Sequence, residues 1–230
     1  MKKTKHPPIL SEGEKLMGWV YLALEILVLP SAIALLGQNF GGFSPAVANF
    51  LYYAANALCC SLIFRNLLAQ SLSRAGEQFG QLLWVCLTGF LCLLGANQIT
   101  EALSALLISD FVNANNTAVS AMVMTNPFLM SLGLIVLVPL GEECLFRGLL
   151  FGGFFERNRW GAYICSVVCF ALAHVIGYLG TQPPLTLLVC LIQYVPPGII
   201  LAYSFEKTGS LFAPMLIHAA VNAGSILSLR

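Results

Sequence analysis

Charge is scarce in this sequence: aspartate, glutamate, lysine and arginine together make up 9% of its 230 residues, against 58% hydrophobic residues. A water-soluble core cannot absorb that much apolar surface, which excludes a soluble globular domain. Aspartate occurs once, as Asp110, so an intramembrane protease built on two aspartates is excluded as well. There is no HExxH stretch for a zinc protease of that type and no GxSG-type stretch for a serine nucleophile. No CxxC spacing occurs either; Cys59, Cys60, Cys86, Cys92, Cys144, Cys165, Cys169 and Cys190 all fall in apolar runs and read as small polarizable filler between helices. The basic residues form no patch beyond a short N-terminal cluster, so nucleic acid is not an expected partner.

What is present is a succession of apolar runs of about 20 residues, the length a helix needs to cross a bilayer. The sequence predicts an all-α, polytopic transmembrane helix bundle of about seven (six to eight) spans, near 17–37, 47–68, 80–99, 126–156, 160–180, 185–205 and 209–228. The first run is read as a retained span rather than a cleavable signal. The fourth exceeds an untilted crossing, so Pro139 is expected to kink or divide it. "ITEALSALLISDFV" places Ile99, Leu103, Leu106, Leu107 and Phe111 near one face and is expected to lie flat on the outer interface. "YVPPGI", with Pro196, Pro197 and Gly198, is expected to break or bend the sixth span. Without internal repeats or low-complexity tracts, residues 1–230 read as a single integral membrane domain.

If the N-terminus is cytoplasmic, Lys2, Lys3, Lys5, Lys15, Arg65, Arg74, Arg157, Arg159 and Lys207 all lie on that side. The opposite loops "QNFGGFS" and "GTQPP" carry no lysine or arginine. Integral insertion in the cell membrane with a cytoplasmic N-terminus is the expected localisation, and membrane lipid the surrounding partner.

Against this background "VPLGEECLFRGLLFG", residues 138–152, stands out. A charged side chain at the bilayer centre costs on the order of 3 kcal/mol, so an acid or base there is a functional candidate facing a cavity or a partner. Glu143 and Arg147 are spaced i, i+4 and can pair on one helix face. Glu142, rotated by about 100° from its neighbour, needs another partner or a water-filled cavity. Of the three histidines, His6 lies in the polar N-terminus, while His174 and His218 lie inside expected spans. Phe170 sits one turn before His174, and Asn222 one turn after His218. At about 1.5 Å per residue from the cytoplasmic ends, Glu142 and His174 both lie roughly 21 Å deep and His218 roughly 14 Å. All three can therefore meet inside the membrane. Taken singly, Glu143 with Arg147 is equally a structural ion pair and the histidines equally interhelical hydrogen-bonding groups. Glu25, alone in the first span, reads as a structural or cavity-lining group.

Glu142-Glu143-x-x-x-Arg147, Phe170-x-x-x-His174 and His218-x-x-x-Asn222, in this order, resemble the EExxxR, FxxxH and HxxxN motifs of the CAAX-protease and bacteriocin-processing (CPBP/ABI) family, the type II CAAX prenyl endopeptidases. The resemblance covers residues 126–228. It implies an intramembrane endopeptidase in which Glu142 is the general base, His174 shares the bound water, and His218 and Asn222 donate hydrogen bonds to the oxyanion. Glu143 and Arg147 would form a supporting ion pair. The implied substrate is a membrane-associated peptide, either prenylated and of CAAX type or of leader or bacteriocin type.

Two forks stay open at this point. Two histidines and a carboxylate also make a three-ligand zinc set, Glu142, His174 and His218; a metal-free reaction with no cofactor is the reading favoured by the resemblance. A non-catalytic membrane immunity or peptide-binding protein is the alternative to an enzyme.

Overall fold

A computed structural model describes residues 10–229; Lys2, Lys3, Lys5, His6 and Arg230 lie outside them. Every regular element among the described residues is helical, as expected where lipid offers no partner to an unpaired backbone N–H or C=O. The chain runs as α1 (Glu12–Leu27), α2 (Leu29–Asn39), α3 (Pro45–Ile63), α4 (Arg65–Glu77), α5 (Phe79–Leu107), α6 (Ala114–Thr125), α7 (Pro127–Phe155), α8 (Arg159–Tyr178, its last turn 3₁₀), α9 (Pro184–Thr208) and α10 (Phe212–Leu227). The helices α3, α5, α7, α8 and α9 are long and apolar enough to cross a bilayer, and α1 with α2 form a sixth pass bent by 51°. Pro30 accounts for the bend, because it has no N–H to offer the carbonyl one turn back and its ring clashes there. The last pass, α10, has 16 residues, which span only about 24 Å. The protein is thus an all-α polytopic membrane bundle with five or six candidate spans, and the seventh expected run corresponds to this shorter apolar helix.

Several local expectations change. The segment from Ile99 to Leu107 does not lie apart on an interface; it continues α5, which reaches 29 residues. The second span ends at Ile63, and Leu67 belongs instead to the amphipathic α4, which buries Leu67, Ser71 and Ala75 along one face. Pro139 does not divide α7. Two π-helical stretches, Gly133–Leu137 before it and Cys144–Phe151 after the glutamates, keep a single 29-residue helix. Nor do Pro196 and Pro197 break α9, which stays helical across both.

Following the chain from end to end of the bundle, Lys15, Arg65, Arg74, Arg157, Arg159 and Lys207 all fall at the end where α1, α5, α8 and α10 begin. The loops at the other end, residues 40–44, 108–113 and 179–183, carry no lysine or arginine, and Asp110 is their one charged side chain. The basic end is held by polar caps between helices. Ser11 caps α1 in a reciprocal box with Glu14, and the other oxygen of the buried Glu14 accepts the N–H of Leu67 at 2.9 Å. A carboxylate from α1 therefore caps α4, whose own Phe64 has no capping side chain. In turn Ser71 of α4 accepts the N–H of Leu211 at 3.2 Å, and Ser210 donates to the Ser71 carbonyl at 2.8 Å. The chain of caps α1 to α4 to α10 fixes where α10, which carries His218, starts. Glu14→Ala should lower the unfolding free energy by about 1–3 kcal/mol, since it leaves the Leu67 and Ser11 amides without an acceptor. Thermal unfolding in bicelles measures it.

Apolar packing fills the space between these caps. Phe64, Leu67, Leu145, Leu149, Phe151, Phe205 and Leu211, all fully or almost fully buried, join α4, α7, α9 and α10. The outer surface is apolar too, with Leu106 and Phe128 each 83% exposed, as suits a surface facing lipid.

Candidate active site

The site is assembled around the ring of Phe170 on α8, which is buried. The Arg147 guanidinium lies over it with Cζ 4.4 Å from the ring centroid. The His174 ring is 4.6 Å away and the His218 ring 6.3 Å. One side chain from each of the three spaced motifs thus meets the same aromatic ring.

Arg147 and Glu143 are fully buried, and the Arg147 Nη1 donates to Glu143 Oε1 at 3.1 Å. Nη2 donates to the Gly198 carbonyl on α9 at 3.3 Å. The same Glu143 Oε1 also accepts from His218 Nδ1 at 2.8 Å. Because a carboxylate only accepts, Nδ1 carries the hydrogen, and the ring presents Nε2 on its other side. Glu143 therefore orients His218 as well as pairing with Arg147. His174 is held similarly: its Nδ1 lies 2.8 Å from the Phe170 carbonyl, an acceptor, so Nε2 is again the nitrogen left to act. Its opposite face stacks on Tyr194 of α9, 4.3 Å between centroids and 26° between planes.

Asn222 is tied to the backbone of α7. In the first π-helical stretch the Val138 N–H bonds to the Gly133 carbonyl, so the Leu134 carbonyl would take the N–H of residue 139. That residue is proline and has none. Asn222 Nδ2 donates to the Leu134 carbonyl instead, at 2.7 Å. A carboxamide has two N–H groups, so one remains.

Glu142 lies within electrostatic reach of Arg147 and borders a polar seam between α1, α3 and α7. Its charge acts on Glu25, Tyr52 and Tyr53, and Tyr52 donates a hydrogen bond to Glu25. One carboxylate oxygen of Glu142, Oε2, is buried without a hydrogen-bond partner. Beside it Gly141 packs on Asn56, where an added Cβ would come within 2.7 Å of Asn56 Nδ2. Asn56 is itself buried and accepts from Tyr21 at 3.1 Å. Gly141→Ala should therefore displace Asn56 and cost about 1–3 kcal/mol of stability by overpacking. A lowered thermal midpoint with an unchanged helical spectrum is the expected reading.

Residues 124–224 match the family model described as type II CAAX prenyl endopeptidase Rce1-like. Over that segment the chain is similar to the CAAX-protease family. The segment contains all three spaced motifs, and the matched family is one of endopeptidases. The chain is also similar to UPF0177 protein YxdF of Lactococcus lactis subsp. lactis, 30% identical over 96 residues, which are 41% of this chain and 48% of that protein. The matched part thus spans about half the length of this curated relative. No solved structure matches the chain.

Around this matched segment the rest of the chain supplies groups not singled out in the sequence. Asn115 donates to the Tyr194 hydroxyl at 3.1 Å, and that hydroxyl lies 3.4 Å from Asn113 Oδ1 and 3.3 Å from Asn116 Oδ1. Asn113 also donates to Gln193, which donates to Ser104. The signal was visible as three asparagines in "NANN", residues 113–116, of a strongly apolar chain. Such carboxamides need partners when buried, but the partner Tyr194 is 78 or more residues away.

The zinc alternative fares differently. Among the described residues no three histidine, cysteine, aspartate or glutamate side chains are grouped so that they could hold a metal ion. Glu142, His174 and His218 are therefore not brought together as a three-ligand set in this arrangement.

Proposed function

We propose that the protein is an intramembrane endopeptidase that hydrolyses a peptide bond of a membrane-associated substrate with water activated by Glu142 and His174, without a metal. The observation that supports it best is the meeting of Arg147, His174 and His218 on the Phe170 ring, with the unpartnered Glu142 oxygen one residue from Glu143. In this reading His174, fixed with its hydrogen on Nδ1, accepts from the water through Nε2. Glu142 takes the water proton, the hydroxide adds to the scissile carbonyl carbon, and negative charge collects on its oxygen. His218, as an imidazolium stabilised by Glu143, donates to that oxygen through Nε2–H, and the second N–H of Asn222 assists. The C–N bond then breaks, the proton held by Glu142 passes to the leaving nitrogen, and the resulting carboxylic acid and amine exchange a proton to leave as carboxylate and ammonium.

The long apolar helices and the family match support an integral membrane protein. The clustering of described basic residues at one end supports a cytoplasmic position for that end in a cell membrane. Prenylated CAAX-type and leader-type peptides are the two substrate classes in keeping with the matched family.

The test is a cleavage assay with the full chain in liposomes, using farnesylated peptides and apolar leader peptides and reading products by mass spectrometry. Cleavage of one class, retained in the presence of chelator and lost in Glu142→Gln, is expected. A biological effect that persists when Glu142 and His174 are both neutralised would favour a non-catalytic membrane immunity or peptide-binding protein instead.

A further inference from the structure

A cavity of about 560 Å³ opens at the end of the bundle away from the basic residues, between the start of α3, α6 and Tyr178. Three links tie its walls to the candidate active site. Tyr178 on its wall follows His174 by one turn of α8. Tyr53 on its wall feels the charge of Glu142. Asn115 on its wall holds the hydroxyl of Tyr194, whose ring is stacked on His174.

His174 lies four residues before the end of α8, only about 6 Å from that end and about 22 Å from the basic one. It is the member of the site nearest the cavity, whereas Glu142 and His218 lie nearer the basic end of their helices.

The lining has a definite chemistry. Ala118, Val119 and Met122 make an apolar wall, Asn49, Asn115 and Asn126 add carboxamides, and no charged side chain faces the space. Carboxamides both donate and accept, which matches the alternating N–H and C=O groups of an extended backbone. A charged side chain would find no counter-ion there and would be costly to desolvate. The volume lies in the range of sites that take a small ligand or a few peptide residues.

We propose that this cavity receives a short, uncharged, extended segment of the peptide substrate next to the scissile bond. The assignment rests on the endopeptidase reading for its consequence, but its binding step can be tested without cleavage.

Thiol labelling supplies that test. In the full-length Glu142→Gln chain in liposomes, Ala118→Cys is modified with a water-soluble maleimide, and the labelling of the same chain without the substitution is subtracted. An acetylated and amidated ten-residue peptide of uncharged residues should slow the modification at least about fivefold, and the same peptide with a central lysine or aspartate less than about twofold. Equal protection by the charged peptides, protection by neither, or protection that follows lipid acyl-chain length without peptide overturns the proposal. Reagent confined to one side of oriented vesicles should modify Ala118→Cys and spare Arg157→Cys; modification of both from one side defeats the placement of the cavity at the end away from the basic residues.

A second variant reads the consequence in the active chain. Ala121→Trp should raise KM about tenfold and leave kcat within about twofold, because it removes binding and not chemistry. An unchanged KM contradicts the proposal. Protection by the uncharged peptide with no cleavage by the wild-type chain would leave the cavity assigned and remove the endopeptidase reading. Cleavage without protection would do the reverse.

Discussion

Glu142→Gln should lower the rate of peptide cleavage by about 10³-fold or more while leaving the unfolding midpoint unchanged or slightly raised. The catalytic half of this expectation follows from the loss of a general base, whose contribution is typically 10²- to 10⁴-fold. Glutamine keeps the shape and one carbonyl oxygen but cannot take a proton from water. The stability half follows from the surroundings. Glu142 makes no ion pair among the described residues, and its Oε2 is buried without a partner. Its charge acts on a second carboxylate, Glu25, and on the buried Arg147 guanidinium, so neutralising it trades a repulsion against an attraction and breaks no ion pair. Glu143→Gln is the contrasting variant. It weakens the two charge-assisted bonds from Arg147 and His218, so activity and stability should fall together. Cleavage by Glu142→Gln within about tenfold of the wild-type rate would remove Glu142 from the base role.

That contrast between neighbouring glutamates marks what could be read from the sequence. Three charges inside an apolar run located the site, and the i, i+4 spacing already placed Glu143 and Arg147 on one face. Which glutamate turns to His218 was not readable, because the rotation of α7 about its axis depends on two π-helical stretches. Each extra residue in a turn shifts the following side chains by about 100°. Pro139 signalled a disturbance, yet its consequence, an unpaired Leu134 carbonyl met by Asn222 88 residues later, exists only after packing. Likewise Pro196 and Pro197 suggested a break, but α9 is enclosed by neighbours and stays continuous. The apolar runs predicted the passes because hydrophobic length is a local property. The cap from Glu14 to α4 and the clamp of asparagines on Tyr194 are contacts between distant segments, 53 and 79 residues apart, which local pattern does not encode.

Arg147→Met should destabilise the folded protein by about 3–5 kcal/mol, the cost of leaving one member of a buried ion pair without its partner. Arg147 has no exposed surface, and its guanidinium serves three neighbours at once: Glu143, the Gly198 carbonyl and the Phe170 ring. Methionine fills much of the volume, so the loss reports charge and hydrogen bonding more than a cavity. With arginine gone, Glu143 keeps only His218 to offset its charge. Adding Glu143→Gln to Arg147→Met removes the stranded carboxylate while leaving an oxygen to accept from His218 Nδ1. The double variant should therefore be more stable than Arg147→Met alone, with a coupling of at least about 1 kcal/mol. Arg147→Lys should fall between, because one ammonium cannot lie flat on Phe170 and also span Glu143 and Gly198. Denaturant unfolding in bicelles measures all three variants. If Arg147→Met costs less than about 1 kcal/mol, or the double variant shows no coupling, the pair does not hold the three motifs together and the Phe170 cluster must be organised by apolar packing alone.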